Sequence, residues 1–235
     1  MTEKNCDKIK VVIPASGIGA RFGTNTPKQF LQLKGMDILQ HTISAFEKLN
    51  VVDEIAVAIP TGYTHVVQAY GFNKVRHIVE GGTNRAESVF SALQALPKNT
   101  GIVLIHDGVR PFVTDKLVHD VVAAVKKYGA AIACTPVTNT IKQTNSNNII
   151  EATPDRSQLW SAQTPQGFTY DIIIKAYEQG TKDGILHQVT DDSTLVERLG
   201  IPVYVAPGSS SNIKITTTED MVIAKALLNL PTEVI

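Results

Sequence analysis

The stretch Val11-Val12-Ile13-Pro14-Ala15-Ser16-Gly17-Ile18-Gly19-Ala20-Arg21-Phe22-Gly23, continuing through Thr26-Pro27-Lys28-Gln29-Phe30, constrains this chain more than any other. An apolar run enters a segment with glycines at 17, 19 and 23, where the backbone can approach a ligand that side chains would otherwise hold off. Arg21 and Lys28 set cations into the same loop. A polyphosphate spreads its charge over many oxygens, and meeting it takes backbone N–H groups and fixed cations from several directions. The loop reads as a nucleotide triphosphate cradle, against the plainer reading of a tight strand-to-helix turn with incidental charges.

Neighbouring glycine motifs do not fit. A P-loop needs Lys-Ser or Lys-Thr directly after its second glycine, and Gly23 is followed by Thr24-Asn25. A dinucleotide fingerprint places its third glycine three residues after the second, whereas Gly23 falls four after Gly19. It also wants an acid closing the second strand, and Glu54 to Ile59 runs out into Pro60-Thr61-Gly62.

The rest of the chain alternates short β-branched runs with amphipathic stretches, the pattern of a mostly parallel sheet with helices on its faces. At 235 residues it is expected to form one α/β domain, 1–235, with a sizeable core. Strands are expected at Lys10 to Ala15, Glu54 to Ile59, His77 to Val79, Ile102 to His106 and Ala131 to Pro136. Helices are expected at Ile38 to Leu49, Arg85 to Leu96, Asp115 to Tyr128, Tyr170 to Gln179, Ser193 to Leu199 and Glu219 to Leu228. Between 137 and 160 a polar, turn-rich segment, with β-prone pieces at Thr140-Ile141-Lys142 and Ile149-Ile150, predicts a projecting hairpin. A lone hairpin is marginal in water, so a partner subunit is its expected support.

Lys+Arg and Asp+Glu are equal at 22, so no global field draws the chain to nucleic acid or an anionic membrane, and phosphate binding must come from local clusters. Cys6 and Cys134 lie far apart in sequence, which suggests reduced thiols. No apolar run approaches the ~20 residues of a membrane span. A cytoplasmic protein is expected.

Open α/β sheets bind ligands at the carboxyl ends of their strands. After His77 to Val79 come Gly81-Gly82-Thr83-Asn84-Arg85 and Ser88, where paired glycines let backbone groups face a flat base and Ser88 could reach a ribose hydroxyl; helix capping is the plainer role for Arg85 and Ser88. The next strand ends in His106-Asp107-Gly108-Val109-Arg110-Pro111. Asp107 there could orient a sugar hydroxyl or help hold a metal, Arg110 can pair with a phosphate, and His106 reads as a packed, hydrogen-bonded histidine. Read alone, Gln163-Thr164-Pro165-Gln166 is a polar turn, Asp191-Asp192 a solvated cap pair after Thr190, and Lys214 a cation on a short strand, Asn212 to Thr216.

Together these pieces resemble the 2-C-methyl-D-erythritol 4-phosphate cytidylyltransferase family from about residue 10 to residue 228. The matching motifs are Pro14 to Arg21, Pro27 to Phe30, Gly81 to Arg85 with Ser88, His106 to Pro111, Thr140 to Lys142, Asp155-Arg156 with Leu159-Trp160, Gln163 to Gln166, Thr190-Asp191 and Asn212 to Thr216. The resemblance implies a single Rossmann-like nucleotidyltransferase domain that transfers CMP from CTP to the methylerythritol phosphate, releases pyrophosphate and requires Mg²⁺. It implies that Arg21, Lys28 and Lys214 meet the CTP phosphates. Ala15, Ser16, Gly17, Gly82, Thr83, Ser88 and Gly108 would form the nucleotide site, and Asp107, Arg110, Thr140, Arg156, Thr164 and Thr190 the substrate side. Family members are homodimers with interlocking hairpins, so Thr140 and Arg156 would serve the neighbour's site. The chain departs from the family pattern at Ser16, Gly108 and Asn139, where Ala, Ala and Asp are usual.

A cytidylyltransferase for another polyol phosphate, such as ribitol 5-phosphate, shares the glycine loop, the Asp-x-x-Arg-Pro turn and Thr-Pro-Gln. Arg156 within Asp155 to Trp160, and the Pro14-Ala15 opening, favour the isoprenoid enzyme. A non-catalytic nucleotide-binding module would have no use for both lysines.

Overall fold

The computed structural model of the protein describes residues 8–17 and 26–230. Along the chain these form β1 (Ile9–Pro14), β2 (Gln32–Leu33), β3 (Met36–Asp37), α1 (Ile38–Glu47), β4 (Glu54–Ile59), α2 (Thr64–Ala69), β5 (Val75–Glu80), α3 (Arg85–Ala95) and β6 (Ile102–Ile105). There follow α4 (Asp115–Tyr128), β7 (Ala130–Pro136), β8 (Gln143–Thr144), β9 (Ile150–Ala152), β10 (Trp160–Thr169), α5 (Tyr170–Lys182), α6 (Ser193–Arg198), β11 (Tyr204–Pro207) and α7 (Thr218–Leu227).

The main sheet runs β11-β7-β10-β6-β1-β4-β5. Strand β6 is apolar and buried throughout, and β1 is apolar apart from Lys10, whose buried ammonium pairs with Glu54 at 2.8 Å, which suits positions covered on both faces. All pairings in this sheet are parallel except those of β10 with β6 and β7. The carboxyl ends of the parallel strands and the start of β10 therefore share one edge.

Helices cover both faces. Leu39, Ile43 and Phe46 of α1 and Val118 and Val121 of α4 close over Val11 and Ile13 on one side. Val89 and Leu93 of α3 and Ile173 and Tyr177 of α5 close over Val12 and Val103 on the other. Caps place the helix ends. Thr114 accepts from the Leu117 N–H at the start of α4, with Gly129 at φ +85° at its end, and α7 opens on a reciprocal capping box between Thr217 and Asp220.

Beyond α2, β2, β3 and β11, which fall where no helix or strand is expected, three expected segments take another form. The Gln163 to Gln166 segment is no free turn but part of β10, in the middle of the sheet. A proline disfavours a central strand because it cannot donate to the ladder. Here Pro165 falls within the register break between Ala162 and Gln166, where the pairing with β7 lapses. Asn212 to Thr216 is irregular coil. The hairpin pairs Gln143 with Ala152, so its first strand begins after Thr140, Ile141 and Lys142. Its base is closed by Val137 N–H donating to Leu159 O at 3.1 Å, while Ile149 and Ile150 stay 61% and 58% exposed. Among the described residues no helix is long and apolar enough to cross a membrane.

Candidate active site

Strand β1 has β4 on one side and β6 on the other, and the chain reaches β6 only after building β4 and β5 outward. Its carboxyl end is thus the point where the strand order reverses, and the loops leaving β1 and β6 diverge there. A cavity of about 380 Å³ opens between them. Ala15, Ser16 and Gly17 line it from β1; Gly82, Thr83, Asn84 and Arg85 from β5; and Asp107 and Gly108 from β6. Lys28 and Lys214 enter the same cavity from opposite ends of the chain.

Each lysine rides on a buried anchor. Lys28 opens a single 3-10 turn, Lys28–Phe30. The next residue, Gln29, is buried and donates its side-chain amide to Ala15 O, and Phe30 stacks on Tyr63 with ring centroids 4.5 Å apart. Lys214 lies between buried Asn212 and buried Ile215. Arg110 donates to Asn212 O at 2.8 Å, and Ile215 N–H donates to Val109 O at 2.9 Å. The turn after β6 therefore holds the coil that carries Lys214.

Asp107 is the electrostatic centre. Its carboxylate meets Arg85 at 3.1 Å, Arg110 at 3.2 Å and Lys214 Nζ at 3.0 Å. Burial alone would raise its pKa, but Arg85, Lys214 and Arg110 together hold it well below the usual carboxylate range. Asp192, fully buried, takes Arg85 through paired contacts of 3.1 and 2.8 Å and accepts from the Tyr177 hydroxyl at 2.5 Å. Burial opposes the Arg85 charge, yet Asp192 and Asp107 keep its pKa well above the ordinary value. The solvated cap expected at Asp192 is thus a buried partner of the cleft. It can be buried because its charge is paired and hydrogen-bonded. Against these two carboxylates stand four cations, Lys28, Arg85, Arg110 and Lys214, leaving the described cleft net positive.

Behind Asp107 the hydrogen bonds have a fixed direction. His106 is buried, and burial pushes its pKa down to about 4, so the ring is neutral. Its Nε2 lies 3.0 Å from Arg110 O, which only accepts, so the proton resides on Nε2 and Nδ1 is bare. Nδ1 then accepts from the Thr164 hydroxyl at 3.1 Å, and Thr164 Oγ1 accepts from Asp107 N–H at 3.1 Å. His106 is the packed histidine the sequence predicts. Thr164, expected on the substrate side, spends its hydroxyl proton on His106 and fixes the Asp107 backbone.

The β5 loop is equally tied. A Cβ on Gly81 would stand 2.2 Å from Ser16 Cβ, so only glycine lets the two loops approach this closely. Ser88, expected to reach a ribose, is fully buried; its hydroxyl donates to Asn84 O at 2.7 Å, accepts from Gly82 N–H at 3.1 Å and meets Ser16 Oγ at 2.5 Å. Ser16, one of the departures from the family pattern, thus has a partner in Ser88. At Gly108, another departure, a Cβ would come within 2.9 Å of Ala15 Cβ and 3.2 Å of Pro14 O.

Of the remaining expected site residues, Arg21 lies outside the described residues. Arg110 supports the cleft from behind, committed to Asp107 and Asn212 O. Thr190 lines a separate hollow of about 410 Å³ with Asp191, Ser193 and Cys134. Thr140 and Arg156 stand exposed on the arm, with Arg156 donating to Thr138 O at 2.9 Å, and this chain does not bring them to its own cleft. Sequence reasoning missed Asn84, Glu87 and Asp192, and left Arg85 as a cap. The signal for Glu87 was present, an acid three residues after Asn84 at a helix start; a buried partner such as Asp192 has no local signature.

The family model for 2-C-methyl-D-erythritol 4-phosphate cytidylyltransferase matches residues 9–230. A protein of that name from Alkaliphilus oremlandii is 42% identical over 96% of this chain and 97% of its own length, and one from Geobacter metallireducens is 44% identical over 92% and 96%. The crystal structure of the 4-diphosphocytidyl-2C-methyl-D-erythritol synthase of Anaerococcus prevotii superposes with a TM-score of 0.86 at 32% identity, covering 96% of this chain and 98% of that one. With a match that spans the whole described sheet and all segments lining the cleft, the chain belongs to the 2-C-methyl-D-erythritol 4-phosphate cytidylyltransferase family.

Proposed function

We propose that the protein transfers CMP from CTP to 2-C-methyl-D-erythritol 4-phosphate, forming 4-diphosphocytidyl-2-C-methyl-D-erythritol and pyrophosphate. The observation that carries this reading is the meeting of Lys28 and Lys214 in one cavity, although 186 positions separate them in sequence. An oxygen of the polyol phosphate attacks the α-phosphorus of CTP; the bond from that phosphorus to the bridging oxygen breaks, and pyrophosphate leaves on the opposite side. No protein nucleophile is needed. Attacking group, electrophile and leaving group are all anionic, so the protein's task is to offset their repulsion, and Lys28, Lys214 and Arg21 meet the charge gathering on the α-phosphoryl oxygens and the leaving group. Lys214 is held for this by Asp107, 3.0 Å away.

Mg²⁺ belongs to this reading as the counter-ion of the triphosphate, where it supplies further charge neutralisation, because it favours phosphate oxygens and water over an all-protein cage. The donor set fits that role: among the described residues no cluster of His, Cys, Asp and Glu could hold a metal alone, and Asp107 is a carboxylate lining the cavity, 3.0 Å from Lys214 Nζ. The enzyme is proposed to act in the cytoplasm, where the buried Cys134 thiol stays reduced. It is proposed to be a homodimer joined through 137–160, since a two-strand hairpin exposing Ile149, Ile150 and Trp160 gains support from a second copy. Thr140 and Arg156 then serve the neighbour's site.

The test is pyrophosphate release with each of CTP, UTP, ATP and GTP against 2-C-methyl-D-erythritol 4-phosphate and ribitol 5-phosphate. Turnover confined to CTP with the methylerythritol phosphate is expected. Release with ribitol 5-phosphate alone, or CTP binding without release, would overturn the proposal.

A further inference from the structure

The coil that carries Lys214 into the cavity has no ladder of its own, because 208–216 forms neither helix nor strand. Contacts to other elements must fix its place, and strand β10 supplies several. Gln163 Nε2 donates to Ser209 O at 2.9 Å, while Gln163 Oε1 accepts from Ser209 N–H at 3.2 Å. The approach is so close that a Cβ on Gly208 would stand 2.6 Å from Gln163 Oε1. Further along the coil, Asn212 Nδ2 donates to Thr164 O at 2.7 Å.

Asn212 is fully buried, and among the described residues its Oδ1 has no hydrogen-bond partner. Turning the amide round would set that oxygen against Thr164 O, so the orientation is fixed. An unpaired buried oxygen costs stability. A leucine of nearly the same shape would remove it and leave Thr164 O unpaired in its stead, so folding has little to choose between the two. What the amide alone supplies is an N–H at Thr164. That residue is a junction: its hydroxyl oxygen accepts from Asp107 N–H at 3.1 Å, and its carbonyl accepts from Asn212. Asp107 and Lys214 then meet at 3.0 Å, so both members of the ion pair hang on one residue.

Resting on the cytidylyltransferase reading above, we infer that Asn212 is a positioning residue for the transfer step, which through Thr164 O sets where the Lys214 ammonium stands relative to Asp107. Buried as it is, Asn212 touches no substrate and acts through Lys214. A lysine stem is long and flexible, and Asp107 by itself fixes only a distance. Pinning the coil to Thr164 fixes the base of the stem as well, so the ammonium is already in place when charge gathers on the α-phosphoryl oxygens. Gln163 secures the same coil nearer its start.

The experiment measures pyrophosphate release from CTP with 2-C-methyl-D-erythritol 4-phosphate, equilibrium CTP binding and urea midpoints in the wild type, Asn212→Leu, Gln163→Met, Lys214→Ala and Asn212→Leu/Lys214→Ala. Asn212→Leu is expected to lower kcat about tenfold, part of the roughly 10²-fold that an ångström of misplacement can cost, while KM for CTP and the urea midpoint move little. Gln163→Met, a volume-conserving change on a half-buried side chain, is expected to lower kcat by less, with its midpoint likewise held. Residual turnover of Lys214→Ala, followed at high enzyme concentration, is expected to be the same with and without Asn212→Leu, because a residue that acts through the lysine has nothing left to position.

An Asn212→Leu enzyme whose kcat stays within twofold of wild type overturns the inference. So does a fall in kcat that recurs in full in the Lys214→Ala background, or one matched by an equal loss of CTP-binding sites, which would make the role merely structural. Should Asn212→Leu fail to fold, a Gln163→Met enzyme with unchanged kcat overturns it in the same way. A wild type that releases no pyrophosphate, or a Lys214→Ala enzyme with wild-type kcat, would instead overturn the underlying functional reading.

Discussion

The cleft and the arm treat their polar side chains in opposite ways. In the cleft Asp107 meets three cations, Asp192 takes Arg85 through two contacts, and even a backbone N–H such as that of Asp107 has a designated hydroxyl. Among the described residues of the arm, Arg156 reaches a carbonyl of its own segment and Lys142 reaches Thr153, and large apolar side chains face outward. Within one chain the described cations and carboxylates of the cleft answer one another, whereas the arm leaves Ile149 and Ile150 uncovered. Residues that the family pattern assigns to one site therefore belong to two physical regimes, and substitutions should separate them.

The largest expected effect is at Asp107. Asp107→Ala leaves Arg85, Arg110 and Lys214 facing one another without their shared carboxylate, and breaking a buried ionic cluster from one side costs about 3–5 kcal/mol. Urea unfolding at pH 7 checks this, and turnover is expected to vanish as Lys214 loses its anchor. A loss under 1 kcal/mol would mean that the cleft is as loosely tied as the arm.

Next comes Lys28→Ala. Lys28 sits on a turn anchored by Gln29 and Phe30, so removing its ammonium leaves the fold intact. A cation that acts on transition-state charge is worth about 10²–10³ in kcat. Steady-state kinetics beside CTP binding gives the split: kcat falls by that factor while affinity changes far less. Weaker binding with kcat unchanged at saturation would reduce Lys28 to a ground-state contact.

These two substitutions act on what was most legible in the sequence. The strand exits, the glycine turns and both lysines could be read because a phosphate site needs particular residue types close together along the chain. The parallel strands β1, β4, β5, β6 and β7 and the helix α4 announced themselves through apolar periodicity and caps, whereas the short edge strand β11 did not. What stayed hidden was set by distant partners. Strand β10 carries Gln163, Thr164, Pro165 and Gln166, a polar set that reads as a turn until β6 and β7 flank it. Asp192 reads as a helix cap until Arg85 arrives from 107 residues away. Thr164 was recognised as a site position, but nothing local shows that its hydroxyl faces inward, because that depends on His106, 58 residues away, whereas the Ser88 hydroxyl turns back onto Asn84 O one helical turn earlier.

His106 carries a smaller, pH-dependent effect. Its folded pKa, pushed down to about 4 by burial, lies below the ordinary 6.5, so the folded state favours the neutral ring. The associated stability is complete above about pH 6.5 and is lost as the pH falls from there toward 4, amounting to about 3 kcal/mol at the lower end. Urea midpoints at pH 7 and pH 4.5 are expected to differ by more in the wild type than in His106→Gln, which has no group titrating in that window at this position. Equal differences would show that the ring is more open to solvent than the cleft's packing implies.

The smallest effect on a single chain is expected on the arm, where it is also the most informative. Arg156 is exposed and, among the described residues, bonds to Thr138 O, so Arg156→Ala should shift the chain's own unfolding by no more than about 0.5 kcal/mol. If its guanidinium serves the neighbouring cleft, the loss appears in turnover and is transferable between subunits. Lys28→Ala and Arg156→Ala proteins, each inactive alone, are then unfolded, mixed in equal amounts and refolded. Half of the resulting dimers pair one of each, and in those one cleft carries both lesions while the other carries neither, so about a quarter of wild-type activity should return. If Arg156 instead folded back onto its own chain's cleft, every cleft in every mixture would keep one lesion and no activity would return. The distinction rests on which chain supplies each cation, so it is blind to any small change in the stability of the arm itself.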